Sequence, residues 1–540
     1  MRILPENTYL ADPALRSLLD AWLTPEAKAF AEPRLREMGR AAGHELSEWG
    51  RECERQPAWL RTIEPWGERV DEVVYSDAWR RLGKVASTAG LTNLPYNPEA
   101  IGACGPDIRV VQLAICYLFE PGTATYSCPV AMTDAAARVL TEFGPQNLQT
   151  EVLPHLISID PDDAWTAGQW MTEQQGGSDV GANQVEARRE DGEWRLYGRK
   201  FFCSNVGGEV VLALARAPGG QAGTRGLGLF LIPRLQKDGR RNNYRIDRLK
   251  DKLGTRAMAT GEVTLEGAVA YQVGELERGF AQMTPMLNIT RLHNSVASAA
   301  AMRRGLQMAR EFARERSAFG RPLEQQPLQR HVLADLAAKA EMVLLFTMRM
   351  ARLLGRVENG QADQQERQLF RIGTSLVKLY TAKVAVAYAS EAIEAFGGQG
   401  YMEDTGIPRL LRDAQVLPIW EGTTNVLSLD ALRVLAKNPD VAESYADELE
   451  RLGSPQRVEV MDLLGKVAGL EGDVAQRWSR QLAYRMADAW AHGLVREAAS
   501  RGPREAAVAA RIERGQEPSD SSEDDFDLVV DGVGVAQPVG

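Results

Sequence analysis

The sequence contains little cysteine and histidine, and their spacing excludes two classes of site. Among 540 residues there are five cysteines: Cys53, Cys104, Cys116, Cys128 and Cys203. None of them forms a CxxC pair, and the five histidines are widely separated. Neither a metal cluster nor a disulfide framework is therefore indicated, which fits a reducing cytoplasm.

Long apolar runs and a basic leader are also missing. Residues 1–20, MRILPENTYLADPALRSLLD, have no apolar signal core and no acid-free amphipathic leader. No stretch approaches the run of about 18 apolar residues that spans a bilayer. The net charge of −10 disfavours a general affinity for nucleic acid or anionic membranes, although a local basic patch remains compatible with it. We therefore expect a cytoplasmic protein that does not bind membranes.

The hydrophobic periodicity changes along the chain and predicts an α+β architecture. Residues 1–165 have a mostly helical pattern, and residues 166–278 have short apolar or alternating runs between Gly and Pro, as in an antiparallel barrel or sandwich. Residues 279–438 return to a helical period. Residues 439–515 predict a helical extension, and the acidic residues 516–540 predict a disordered tail.

An acid lies at the mouth of a predicted helix in PIWEGTTN, residues 418–425. The helix is expected from Val426, with Thr424 as its N-cap. Glu421 follows Trp420 and precedes Gly422. Taken alone, an acid at this place is explained by the helix dipole.

Four further motifs have ordinary structural explanations when each is taken alone. WMTEQQGGSD (170–179) can be a turn or a phosphate-binding loop, and Phe202 and Ser204 share one face of the strand in GRKFFCSN (198–205). RERSAFGRP (314–322) allows a helix C-cap at Gly320. EAFGGQGY (394–401) is a glycine-rich helix end that leads to the Glu421 motif.

In this order and spacing, the motifs resemble the acyl-CoA dehydrogenase family of flavoproteins over about residues 80–435. The C-terminal helices and LKDKLGTRA (249–257) look most like the AidB-type branch, named for a bacterial alkylation-response protein. The resemblance implies an N-terminal helical domain, a middle β domain and a C-terminal four-helix bundle. It also implies FAD as cofactor and oxidation of an acyl-CoA to a 2,3-enoyl-CoA.

The resemblance assigns roles to individual residues. Glu421 corresponds to the base that removes the α-proton, while its main-chain N–H and a ribityl hydroxyl of FAD hold the thioester oxygen. Substrate contacts are expected from Ser178, Arg291 and Glu421. Cofactor contacts are expected from Gln169, Trp170, Met171, Thr172, Gly177, Ser178, Phe202, Cys203, Ser204, Arg316, Phe319, Gly397, Gly398, Ile419, Trp420, Gly422, Thr423 and Asn425. No metal is expected.

The resemblance also implies partners. Arg316 and Phe319 match positions that touch the FAD of a neighbouring subunit, so a homodimer or homotetramer is expected, with an electron-transfer flavoprotein or another acceptor. Pro327 stands where the family usually has Gln, and Asn288 where some members have an acid near CoA. Pro327 removes a side-chain contact to the cofactor of the partner subunit. Together the two departures are expected to affect affinity for CoA esters more than flavin binding.

Two alternatives stay open at this point. An AidB-like, DNA-associated flavoprotein needs a positive surface, and residues 477–514 contain eight Arg against four acids, 8 − 4 = +4. Residues 440–540 as a whole contain 11 Lys and Arg against 20 acids, 11 − 20 = −9. An oxidase on the same fold is the second alternative; retention of Glu421 favours α-proton abstraction over it.

Overall fold

The structure is a computed structural model in which residues 3–515, 517 and 525–532 are described. Its α-helices are α1 (Pro13–Trp22), α2 (Pro25–Gly43), α3 (Glu45–Arg55), α4 (Asp77–Thr88), α5 (Pro98–Cys104), α6 (Ile108–Phe119), α7 (Ser127–Phe143), α8 (Gln146–Glu151), α9 (Leu153–Leu156), α10 (Gly279–Gln282), α11 (Thr284–Glu315), α12 (Pro327–Glu358), α13 (Gln364–Glu394), α14 (Pro408–Ala414), α15 (Thr424–Lys437), α16 (Pro439–Arg451), α17 (Arg457–Ala468), α18 (Gly472–Ala498) and α19 (Pro503–Arg514). Its strands are β1 (Trp59–Ile63), β2 (Arg69–Val74), β3 (Ala167–Trp170), β4 (Glu186–Glu190), β5 (Glu193–Ser204), β6 (Val210–Arg216), β7 (Leu227–Pro233), β8 (Tyr244–Leu249), β9 (Thr260–Val273), β10 (Ser317–Ala318) and β11 (Arg321–Pro322).

The order of helical, strand-rich and helical regions agrees with the prediction from periodicity. Contacts within the chain divide it into two units. Unit 1 comprises residues 1–45, 98–121 and 294–540, and unit 2 comprises residues 46–97 and 122–293. The boundaries predicted at residues 165, 278, 438 and 515 follow the chain rather than these spatial contacts, and they stay predictions.

The core of unit 2 is a seven-stranded sheet in the order β3-β6-β4-β5-β9-β7, with β8 paired to β9. An additional pairing of β6 with β7 closes part of this sheet on itself. Most pairs are antiparallel, as predicted, but β6 runs parallel to both β3 and β4. The buried Trp170 ring meets the Tyr244 ring edge-on, with centroids 5.4 Å apart, inside this sheet.

A hairpin of β1 and β2 lies within residues 1–165, which the sequence predicted as mostly helical. Its first strand alternates between exposed and half-buried residues, the period of a strand with one face against the protein. Gly67 adopts φ 93° in the connecting turn, a conformation that glycine takes readily. The alternation is short and lies between helices, which explains why the helical pattern around it dominates the prediction.

Unit 1 is a helical bundle in which α12 packs against α6, α13 and α18. α12 begins at Pro327, as predicted, and α13 begins with a capping box between Asp363 and Glu366. By length and composition residues 98–122 could span a membrane, which was not predicted from the sequence, but most of this segment is buried inside the protein. Every residue of α6 is buried, which is the pattern of a core helix.

Residues 525–532 are part of unit 1 and pack against its other helices, although the sequence predicts a disordered tail from residue 516 onward. Phe526, Val529 and Val530 are buried, and Asp527–Asp531 form a π-helical turn. The Asp531 carboxylate pairs with Arg310, and the Arg330 guanidinium lies 4.3 Å from the Phe526 ring centroid. The prediction of disorder is therefore wrong for these residues, because their apolar side chains are buried between ion pairs. The rest of the predicted tail, except Glu517, lies outside the described residues.

Candidate active site

Glu421 lies in a turn immediately before α15 and has an unusual backbone conformation. Its φ is 54°, in the left-handed region that non-glycine residues rarely occupy. Such residues cost about 1–3 kcal/mol and persist only where their surroundings hold them. The N-cap of α15 is Thr423, whose hydroxyl accepts from the Val426 N–H, so the prediction of Thr424 as the cap is wrong by one residue.

The side chains of Lys378 and Trp420 hold the turn that contains Glu421. The Lys378 ammonium, on α13, donates to the Trp420 carbonyl at 2.6 Å and to the Gly422 carbonyl at 2.7 Å. The Trp420 indole N–H donates to the Asn294 side-chain oxygen on α11. The Lys378 side chain is fully buried, with 0% of its surface exposed. The half-buried Glu421 is thus flanked by two main-chain carbonyls bound to one cation.

Lys378 belongs to a polar stripe on α13. Arg371, Ser375 and Lys378 are spaced i, i+4 and i+7, which places them on one face of the helix. Arg371 donates to both carboxylate oxygens of Asp430 on α15, at 3.2 and 3.0 Å, and Ser375 donates to one of them at 2.7 Å. The stripe therefore fixes α15 and the turn before it together.

Helix α18 supports the other side of this turn. The Arg480 guanidinium donates to the Asn425 side-chain oxygen at 3.0 Å. Burial raises the pKa of Tyr484 above its usual value, while the Arg480 charge and a hydrogen bond with Thr424 oppose this rise. The predicted site residues 419–425 are therefore brought together by contacts from α11, α13 and α18.

In unit 2, the glycine loop (residues 171–179) follows β3 and is held by a buried ion pair. The Glu173 carboxylate accepts from the Lys200 ammonium at 2.8 Å and from the main-chain N–H groups of Gln184 at 2.6 Å and Val185 at 3.1 Å. Lys200 is fully buried and also donates to the Leu214 carbonyl at 2.8 Å. The loop is therefore fastened to the residues just before β4, to β5 and, through Lys200, to β6.

The pKa values of this pair report their surroundings. Burial raises the pKa of Glu173, but the Lys200 charge and several hydrogen bonds outweigh it and leave the pKa below its usual value. Burial lowers the pKa of Lys200, and Glu173 opposes this shift. Each charge is stabilised mainly by the other, as is usual for buried ions.

The end of β5 lies beside the glycine loop, since the Phe201 N–H donates to the Thr172 carbonyl at 3.0 Å. Burial alternates here: Phe202 is 55% exposed, Cys203 is buried and Ser204 is half-buried. Phe202 and Ser204 therefore share the outer face, as predicted. The side chains of Cys203 and Trp170 lie in the sheet core, where burial raises the pKa of the thiol. Any contact of these two residues with a cofactor would involve main-chain atoms.

The glycine loop fits close approach of a dinucleotide. A Cβ at Gly177 would lie 2.6 Å from the Thr172 hydroxyl oxygen, so a larger residue here would displace this side chain or the loop. Gly177 and Ser178 are exposed, and Gly176 adopts φ 123°. Exposed main-chain N–H groups and hydroxyls of this kind suit phosphate and flavin oxygens.

The remaining predicted residues lie at separate positions. Arg316 and Phe319 are in the β10–β11 hairpin of unit 1, where Phe319 is 98% exposed at φ 52°. Gly320 is part of this hairpin turn and not a helix C-cap, because α11 already ends at Glu315. Gly397 and Gly398 are exposed in the turn after α13, and Arg291 is half-buried on α11. Exposure of the hairpin suits the predicted contact with a neighbouring subunit.

Several residues that hold the site were missed from the sequence. Lys378, Asn294 and Arg480 bind predicted site residues without belonging to the predicted set. The Lys200–Glu173 pair, which fastens the glycine loop, was missed as well. A signal for Lys378 is present in SLVKLYTAK, where this lysine stands between Val377 and Leu379 and at helical spacing from Arg371 and Ser375. Its partners Trp420 and Gly422 lie 420 − 378 = 42 and 422 − 378 = 44 residues further along the chain, and only the fold reveals them.

The basic strip predicted at residues 477–514 is largely paired with acids of the same chain. Arg485 lies 3.4 Å from Glu459, and Arg511 binds Asp335 at 2.8 Å and also pairs with Asp525. Arg496, Arg504 and Arg514 also have acidic partners. These pairs reduce the positive potential that binding to phosphates requires.

Comparison with known proteins matches three family models along the chain. They are the AidB N-terminal domain (residues 2–163), the acyl-CoA dehydrogenase middle domain (168–268) and the acyl-CoA dehydrogenase C-terminal domain (277–436). "Acyl-CoA dehydrogenase family member 11" of Caenorhabditis elegans is 40% identical over 83% of this chain and 73% of its own length. AidB of Escherichia coli K12 is 35% identical over 82% of this chain and 80% of its own. The solved structure of C. elegans ACDH-11 in complex with C11-CoA matches with a TM-score of 0.89 and 36% identity, over 94% of this chain and 91% of that one.

Proposed function

The chain belongs to the acyl-CoA dehydrogenase family of flavin-dependent oxidoreductases, and from this premise we propose that it oxidises an acyl-CoA thioester to the 2,3-enoyl-CoA, with FAD as cofactor. The observation that supports the proposal most is Glu421 itself. Glu421 stands in PIWEGTTN, where the resemblance places the base; it is half-buried, has φ 54° and lies between carbonyls bound by Lys378.

We assign proton abstraction from the α-carbon to the Glu421 carboxylate. The α-proton of a thioester is weakly acidic, so a base that removes it needs a setting with restricted access to water. We assign the holding of the thioester oxygen to the Glu421 main-chain N–H, which acts as an oxyanion-hole donor. One residue then supplies both the base and a donor for the charge that the base creates.

The glycine loop and the end of β5 are proposed to bind the cofactor. Thr172 and Ser178 offer hydroxyls, the Phe202 ring offers an exposed face for a planar group, and Ser204 lies on the same side of β5. FAD, when bound, supplies the acceptor for the hydride of the β-carbon. The protein contributes binding, orientation and exclusion of water.

The substrate and partners are proposed from the relatives. The C. elegans structure was solved with C11-CoA, so we propose a CoA thioester as substrate, contacted also by Arg291. The exposed Arg316 and Phe319 support a homodimer or homotetramer in which this hairpin reaches the cofactor of the neighbouring subunit. An electron-transfer flavoprotein or another acceptor in the cytoplasm is proposed to reoxidise the flavin.

Anaerobic titration of the purified protein with a panel of CoA thioesters tests the function. Wild-type flavin absorbance should bleach with at least one thioester. Glu421→Gln should remain folded, yellow and FAD-bound, without bleaching. If the Gln variant is reduced as fast as the wild type, Glu421 is not the base; if no thioester bleaches the wild type, the dehydrogenase proposal fails.

DNA association is the second candidate, which the resemblance to the AidB-type branch leaves open; the matched AidB N-terminal domain supports that branch. The ion pairs of the predicted basic strip argue against it. A mobility shift at physiological salt, with the full chain and with residues 516–540 removed, distinguishes the two cases. Binding that appears only after the truncation would show that the acidic tail competes with DNA, and no binding in either case would exclude this function.

A further inference from the structure

Lys378 lies where it can affect the main chain of Glu421 as well as stabilise the fold. A lysine ammonium is buried at a high cost in free energy unless polar groups surround it. Here two carbonyls within 2.7 Å accept from it, and both belong to the residues that flank the base. A fully buried cation is therefore placed against the main chain at Glu421.

The geometry of a peptide unit links this cation to the other side of the turn. The Trp420 carbonyl and the Glu421 N–H belong to the same planar peptide, which is trans. In a trans peptide these two bonds point in opposite directions. A donor that fixes the direction of the Trp420 carbonyl therefore also fixes the direction of the Glu421 N–H.

The same contact changes the strength of that N–H as a donor. A hydrogen bond to a carbonyl polarises its peptide, and the N–H of that peptide becomes a better donor through cooperativity. A charged donor produces a larger effect than a neutral one, since charge-assisted hydrogen bonds are roughly twice as strong. The bond from Lys378 to the Gly422 carbonyl holds the Gly422–Thr423 peptide. The same ammonium therefore fixes the main chain before and after Glu421, which has φ 54° between these two points.

We propose that Lys378 is a positioning residue of the oxyanion hole: it orients and polarises the peptide whose N–H, that of Glu421, holds the thioester oxygen of the substrate. This inference rests on the proposed function. Lys378 itself contacts neither substrate nor cofactor in this account. Its contribution increases as negative charge develops on the thioester oxygen, so it affects the chemical step more than substrate binding.

Lys378→Met tests the proposal, with Lys383→Met as the matched control on the exposed side of the same helix. Single-turnover flavin reduction is measured per FAD-bound enzyme, so that loss of cofactor does not count as loss of rate. Lys378→Met should reduce its flavin about 100-fold more slowly, the effect of a lost oxyanion-hole donor. The thioester concentration at half-maximal rate should change much less. Lys383→Met should match the wild type.

A second readout requires no hydride transfer. A 3-oxoacyl-CoA ionises to an enolate, and its absorbance reports how well the site stabilises a negative oxygen. Lys378→Met should raise the apparent ionisation pH of the bound ligand by about two units, the equivalent of the 100-fold rate effect. A wild type that ionises this ligand but does not reduce its flavin with any acyl-CoA would contradict the proposed function while leaving Lys378 testable.

A crystal structure of the variant gives a readout independent of any ligand. With Lys378→Met, the Trp420–Glu421 peptide should rotate and Glu421 should leave the left-handed region. Lys378→Arg keeps the charge and serves if the Met variant does not fold; displaced donors should then give an intermediate rate. A purely structural lysine would lower stability and FAD content but leave φ of Glu421 and the rate per flavin unchanged, and that result would overturn the proposal.

Discussion

The glycine loop of unit 2 and the Glu421 turn of unit 1 are each held by a fully buried lysine, but in different ways. Lys200 binds the carboxylate of Glu173, and this carboxylate in turn accepts main-chain N–H groups of residues 184 and 185. Lys378 donates directly to the carbonyls on both sides of Glu421. The shortest contact of Lys200 with its loop is to a side chain, at 2.8 Å against 3.5 Å for the Met171 carbonyl, whereas both contacts of Lys378 with the Glu421 turn are to the main chain.

This difference indicates what each lysine contributes. The Lys200–Glu173 pair compensates two buried charges, so removal of one partner leaves the other at a high cost in stability. Lys378 acts on the peptide of the base, so its effect should appear in the reaction rate. The comparison therefore predicts stability and cofactor effects in the glycine loop, and rate effects in the Glu421 turn.

The largest expected effect is that of Glu173→Ala, which leaves the Lys200 ammonium buried without this carboxylate. We expect the free energy of unfolding to fall by about 3–5 kcal/mol, with loss of FAD. Urea unfolding and flavin content measure this. Glu186→Ala removes a surface ion pair with Arg188, 2.8 Å apart on exposed side chains, and should cost less than about 1 kcal/mol.

A double variant separates the cost of one unpaired buried charge from the loss of the ion pair itself. Replacing both buried charges with apolar residues, Glu173→Leu with Lys200→Met, removes the uncompensated ion and should recover part of the lost stability. If Glu173→Ala lowers the free energy of unfolding no more than Glu186→Ala does, the Lys200–Glu173 pair does not hold the glycine loop.

The next effect in size is that of Gly177→Ala. The added Cβ would lie 2.6 Å from the Thr172 hydroxyl oxygen, so this side chain or the loop must shift. Overpacking of this kind costs about 1–3 kcal/mol, and we expect it as FAD affinity weakened about 10-fold or more. Gly102→Ala, where no atom lies within 4 Å of the new Cβ, is the control. Equal FAD affinity in all three proteins would show that the loop does not bind the cofactor closely.

Acid should weaken the glycine loop through Glu173. Its folded pKa lies below the usual 4.5, so on acidification the unfolded chain takes up this proton first. The contribution of ionised Glu173 to the free energy of unfolding is therefore complete above about pH 4.5, and it is lost as the pH falls through the folded pKa. The stability difference between wild type and Glu173→Gln should shrink between pH 6 and pH 3. A difference independent of pH would contradict the ionised state of Glu173.

Much of the fold was predictable because it follows from local periodicity. The start of α12 at Pro327 and the run of β5 are examples. The β1–β2 hairpin was missed because its alternation is short, and the order of residues 525–532 because composition does not show that Phe526 is buried by packing on unit 1. Local sequence patterns predict the long helices and strands. Whether a short segment such as the β1–β2 hairpin or residues 525–532 is ordered depends on packing against residues distant in sequence.

The candidate site divides in the same way. Glu421 and Thr172 were predicted because they stand in motifs that resemble a family. Lys378 was not, because a lysine in a helix is most often exposed, and its partners are distant in sequence. Motifs predict which residues contact ligands, whereas the residues that orient those side chains become visible only in the tertiary structure.

The smallest expected effect separates two ways of holding Glu421. Thr423→Ala removes the cap of α15 and should cost about 1 kcal/mol. Thr24 caps α2 in the same way, so Thr24→Ala should lose similar stability without any change in flavin reduction. Because Lys378 fixes the carbonyls beside Glu421 independently of this cap, Thr423→Ala should slow reduction less than about 10-fold, well below the loss from Lys378→Met. A rate loss as large as that of Lys378→Met would show that the start of α15, and not the buried lysine, positions the base.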